Sequence, residues 1–136
     1  MLTGAVSPTE TGNVDIQNPL VENLTGSGDY YSLIFQGLET RIIPIQHRSG
    51  SGTFISFINS EAKSMHVNVS FPGTAIGNLR LTQIIMPDGT MDGPFGTDSV
   101  VPLTQLGGYT LRFSENQMSG EPWSGKAIIT LTLSAK

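Results

Sequence analysis

Cysteine is absent from the 136 residues. That excludes a disulfide framework and any thiolate metal site, and it leaves stability to packing. Charge is scarce as well: Asp, Glu, Lys and Arg make up 13% of the chain, against roughly 25% in ordinary soluble domains. No apolar run approaches the roughly 20 residues that a membrane helix needs. The opening Met1-Leu2-Thr3-Gly4-Ala5-Val6-Ser7-Pro8 has neither the basic start nor the apolar stretch of a secretory leader. That leaves a cytosolic protein or a mature secreted form, and the composition favours the second. The seven basic residues (Arg41, Arg48, Lys63, Arg80, Arg112, Lys126 and Lys136) are scattered along a chain of net charge −4, which argues against a nucleic-acid partner.

What is abundant is turn chemistry. Sixteen glycines and eight prolines sit among many Ser, Thr and Asn residues, a composition that suits an extracellular β-protein of one domain. Residues 1–29 hold only short apolar patches such as Val14-Asp15-Ile16 and read as a flexible N-terminal extension or an irregular edge segment. From Tyr30 to Lys136 the pattern is that of a β-sandwich domain. Tyr30 to Phe35, Thr40 to Gln46, Thr53 to Ile58, Ser64 to Phe71, Asn78 to Met86, Val100 to Leu103, Tyr109 to Phe113 and Lys126 to Ser134 give about eight strands separated by turn signals. Met65, Val67, Val69 and Phe71 alternate with His66, Asn68 and Ser70, the period-two signature of a half-buried strand. Pro44 places its strand at a sheet edge or a bulge. The predicted class is all-β, an immunoglobulin-like β-sandwich, with a jelly roll or small barrel as the alternative.

Catalytic constellations are wanting. The two histidines, His47 and His66, read as surface or interface residues, and their spacing gives no zinc pair. Ser49 and Ser51, in the Ser49-Gly50-Ser51-Gly52 turn, lack the strand-to-helix elbow of a serine hydrolase. Asp88, Asp92 and Asp98 are the one acidic cluster. They lack the alternate-position acids and terminal Glu of an EF-hand and read as turn-forming residues of an exposed loop. The expectation is a protein that is not an enzyme and needs no cofactor or metal. Asn23-Leu24-Thr25 and Asn68-Val69-Ser70 match the glycosylation pattern, as chance allows in such a chain.

One segment resembles a known family. Gly120-Glu121-Pro122-Trp123-Ser124-Gly125 followed by Lys126 to Ser134 is similar to the end of a bacterial chaperone–usher fimbrial subunit. Such subunits finish with a Gly/Pro turn, an aromatic, Ser or Thr, Gly, and an alternating strand. Arg41-Ile42-Ile43-Pro44-Ile45 is similar to a strand of colonisation-factor pilins, and Tyr109 to Phe113 sits where a penultimate strand belongs. The resemblance implies an incomplete sandwich that a donor strand completes. Ile129, Leu131 and Leu133 would border the donor-strand groove. The implied partners are neighbouring fimbrial subunits, a periplasmic chaperone and usher, and a host receptor; the implied location is the bacterial cell surface, reached through the periplasm. The N-terminus departs from that family: Val14 and Ile16 alternate, then Pro19 interrupts. Tyr30, Tyr31 and Phe95 are the candidate surface-recognition residues. Alternative functions are a carbohydrate-binding or other recognition sandwich, and a viral or phage structural jelly roll.

Overall fold

The computed structural model describes residues 22–23, 29–73, 77–115 and 122–136. Ten strands follow one another: β1 (Glu22–Asn23), β2 (Asp29–Leu33), β3 (Thr40–His47), β4 (Thr53–Asn59), β5 (Ser64–Ser70), β6 (Arg80–Ile85), β7 (Met91–Asp92), β8 (Asp98–Pro102), β9 (Gly107–Ser114) and β10 (Gly125–Ser134). They form two sheets, a six-stranded one ordered β1-β2-β4-β9-β6-β7 and a four-stranded one ordered β3-β10-β5-β8. The all-β sandwich expected from the alternation is what forms. The expected extension over residues 1–29 lies largely outside the described residues; of it, Glu22–Asn23 pairs antiparallel with β2 and Asp29 opens β2.

Alternate side chains from the two sheets meet in one core. Ile43 and Ile45 of β3, Met65, Val67 and Val69 of β5, and Ala127, Ile129, Leu131 and Leu133 of β10 face Ile55 and Phe57 of β4 and Tyr109, Leu111 and Phe113 of β9. On β6 the rhythm slips, because a bulge between Leu81 and Gln83 inserts Thr82. Leu81 and Ile84 therefore both point inward, although three positions separate them. The Pro87-Asp88-Gly89-Thr90 turn closes with Gly89 N–H donating to Met86 O and Met86 N–H to Thr90 O. Gly89 supplies the required positive φ, +90°. Pro44 falls on β3, an edge of the smaller sheet, as its missing amide hydrogen demands. One pairing breaks the antiparallel pattern: β2 runs parallel to β4, with Tyr30 beside Phe54.

The groove expected along the last strand has no open edge. β10 pairs with β3 on one side and with β5 on the other. Ile129, Leu131 and Leu133 are buried in the core, at 0%, 0% and 7% exposure.

Candidate functional site

One end of the sandwich gathers the β3–β4 turn, the starts of β2 and β6, the end of β9 and the approach to β10. His47 sits beneath it. It follows Ile43 and Ile45 in the same inward register and is fully buried, which corrects the surface placement expected for it. The register of Ile43 and Ile45 carries on to it, one residue past the Gln46 at which the apolar alternation stops. The His47 Nε2–H donates to Glu115 Oε2 at 2.7 Å, and Nδ1 lies 2.9 Å from Thr53 Oγ1. Trp123 stacks on the imidazole, centroids 5.9 Å apart, and meets Phe71 edge-on. Gly125 makes room for that indole: a Cβ there would stand 2.7 Å from Trp123 Cζ2.

Glu115 ties the turn down. Besides His47, its carboxylate accepts from Gly50 N–H at 3.3 Å, Ser49 Oγ–H at 3.4 Å and Trp123 N–H at 3.3 Å. Ser49 N–H also donates to Ser124 Oγ. Burial would push the Glu115 carboxyl up, but the bonds from His47, Trp123 and Gly50 outweigh it and hold it below its ordinary value. A Ser/Gly turn that composition makes mobile is thus fixed at its neck. Nothing in the polar run from Ser114 to Pro122 singled out Glu115.

Beside the turn, the outward face of the larger sheet presents a row across neighbouring strands. Tyr30 lies next to Phe54, Phe54 next to Arg112, and Arg112 next to Gln83. The Tyr30 and Phe54 rings stack at 4.7 Å with 8° between planes. That separation equals the spacing of paired strands, so the ring faces look along the sheet. The edges, not a flat aromatic platform, meet solvent. Arg80 pairs with Ser114, two residues along β9 from Arg112. Neither guanidinium makes an ion pair or hydrogen bond to a described residue, and Arg80 Nε is the one buried side-chain polar atom among them without a partner. Scattered in the sequence, these two cations become diagonal neighbours because β6 and β9 pair.

The other expected site residues separate. Tyr31 and Phe95 pack against the core, leaving Tyr30 of the three on the outward face of the larger sheet. His66 is exposed, as expected, and bonds Asp98 at 2.6 Å. Asp98 is also held by Asn68, and these bonds, His66 first, keep its carboxyl below the usual range. Asp88 closes its turn on Thr90 N–H and Oγ–H, and Asp92 accepts from Gly93 N–H. No group of three His, Asp or Glu side chains among the described residues is placed to hold a metal ion. A shallow hollow of about 250 Å³ between Thr82, Gln83 and Met91 to Pro94 is open to solvent.

No family model matches the sequence, and no curated protein matches it. Solved structures do. PliG of Aeromonas hydrophila, a periplasmic lysozyme inhibitor of g-type lysozyme, superposes with a TM-score of 0.56 at 9% identity, over 79% of this chain and 100% of that one. A mutant of the Escherichia coli PliG gives 0.56 at 14% identity, over 80% and 100%. PliG of Salmonella Typhimurium gives 0.54 at 13% identity, over 79% and 100%. At these identities the likeness is one of fold. It corrects the fimbrial reading. The structural neighbours are inhibitors, not pilins, and fimbrial subunits, chaperone, usher and a surface fimbrium lose their support.

Proposed function

We propose that the chain is a non-enzymatic recognition protein that binds a lysozyme-type hydrolase in the bacterial periplasm and blocks its substrate cleft. The observation that carries this reading is the pair of guanidiniums, Arg80 and Arg112, that find no ion-pair partner among the described residues, beside a turn fixed by Glu115. Glycoside hydrolases work with two carboxyl groups about 5–9.5 Å apart. Diagonal neighbours on paired strands stand about 7–8 Å apart, and guanidinium is the side chain best shaped to meet a carboxylate. A turn already tied at its neck loses little freedom on docking, which favours affinity. The fold likeness to the PliG inhibitors spans the whole of each of those chains. The edge-on Tyr30–Phe54 pair speaks against a sugar-stacking platform.

The test is inhibition of a g-type lysozyme clearing a bacterial cell-wall suspension. The native chain is expected to stop lysis at near-stoichiometric ratios. Replacing Arg112 by Ala is expected to weaken inhibition by about 30-fold or more, the order expected when one partner of an interfacial charge pair is removed, with an unchanged circular dichroism spectrum and melting curve. A native chain that leaves lysis untouched would end this reading.

A further inference from the structure

Three consecutive strands of the larger sheet, β4, β9 and β6, hold no acidic residue, yet two arginines stand on them. Arg80 lies opposite Ser114 and Arg112 opposite Gln83, so the two are diagonal neighbours, attached roughly 7–8 Å apart. Acidic residues outnumber basic ones in the chain, 11 to 7. Even so, neither guanidinium finds an ion-pair partner among the described residues. The next carboxylate along β9, Glu115, is engaged by His47, Ser49, Gly50 and Trp123. The hydroxyls alongside are engaged as well: Thr82 Oγ1–H donates to Arg112 O, and Thr82 and Ser114 share a bond of 2.9 Å. Arg80 Nε is buried with no acceptor. Two like charges side by side, one of them partly stripped of water, are costly in the free protein. An anion from outside relieves both costs at once.

We propose that Arg80 and Arg112 together bind a tetrahedral oxyanion, with free phosphate as the reference ligand, and that phosphate competes there with the hydrolase. Guanidinium groups meet phosphate oxygens bidentately. Both side chains are long and flexible, so both can turn onto one ion from neighbouring strands. A doubly charged ion then matches two cations. The buried Arg80 Nε strengthens the case. Desolvation opposes most ion pairs, and part of that cost is already met in the free protein. The net charge of −4 repels anions at a distance, but salt screens that field beyond about 8 Å at physiological ionic strength, so the local pair decides. A carboxylate carries one charge and neutralises one arginine. Two carboxylates held apart and one phosphate held between are therefore alternative occupants of the same pair. The competition rests on the inhibitor reading; the oxyanion site does not.

The experiment follows the arginine Nε–H and backbone amide resonances of the native chain by nitrogen-15 NMR while sodium phosphate is added at slightly alkaline pH. Sodium chloride is lowered in step to hold the ionic strength constant. A saturable shift centred on β6 and β9 is expected, with a dissociation constant of about 1–10 mM, the strength of two charge-assisted pairs in water. Arg80→Gln and Arg112→Gln keep much of the aliphatic stem. Each is expected to weaken binding about 10-fold or more without changing the melting curve. Lys126→Gln, on the smaller sheet, is expected to leave binding as it is. A response that never saturates, that chloride reproduces, or that survives replacement of both arginines overturns the site. In the lysis assay, phosphate at ten times its dissociation constant is expected to weaken inhibition about 10-fold relative to chloride at equal ionic strength. Inhibition that phosphate leaves untouched overturns the competition, while the site stands on its own titration. A chain that saturates with phosphate yet never inhibits ends the inhibitor reading, and the competition with it, and supports the oxyanion site alone.

Discussion

Glu115 holds four donors from two stretches of chain, His47 to Gly50 and Trp123, and the consequences of losing its charge follow from that. Glu115→Gln keeps the shape but not the charge, and the bonds it makes are of the charge-assisted kind. A loss of about 1–3 kcal/mol of unfolding free energy is expected from urea melts. The loss depends on pH with a definite sign. The native carboxyl titrates below its ordinary value of 4.5, so its contribution is complete above that pH and disappears as pH falls through the lower native value. The gap between native and Glu115→Gln melts is therefore expected to close on acidification below 4.5; a gap that widened there would contradict the clasp. A second residue can be followed optically. Trp123 is the sole tryptophan, so emission reports on it alone. Gly125→Ala puts a methyl group 2.7 Å from its ring. A red-shifted emission and a loss of about 1–3 kcal/mol are expected, the usual cost of overpacking.

At the level of elements, β10 is the most committed strand. It is paired along both edges and buries Ala127, Ile129, Leu131 and Leu133 on one face. Leu131→Ala is expected to cost about 2–5 kcal/mol in denaturant unfolding, because neighbours fixed on both sides cannot collapse into the space. Most of the strands were legible from alternation, since one side chain in two must leave water. What was not legible has particular causes. β7 holds two residues and has no period to read. The β6 bulge hides behind a slipped alternation. The parallel pairing of β2 with β4 depends on distant chain that local pattern does not encode. His47 keeps the inward register of β3 one residue beyond the point where the apolar alternation of that strand stops.

For the molecule as a whole, two layers and one core were legible and the site was not. Arg80 and Arg112 stand 32 positions apart in the chain, and only the order of strands makes them neighbours. The fimbrial resemblance failed for a related reason. An aromatic at a turn, a small residue and an alternating terminal strand are what a sandwich needs to close its end, whatever it does. Here Trp123 covers His47 and Gly125 yields to the indole, a solution that packing dictates and function does not. The three outward regions divide by chemistry: a cationic row beside a tied turn, a nearly uncharged flat face, and exposed Ile34, Ile58 and Leu106 toward the opposite end of the larger sheet.

The position of β10 sets a timetable for the newborn polypeptide. It lies between β3 and β5, yet it is made some eighty residues after β3 has emerged. Until then those two earlier segments have no common neighbour and keep their oily sides uncovered. Closure of that sheet therefore waits on β10, and closure over so long a separation is slow.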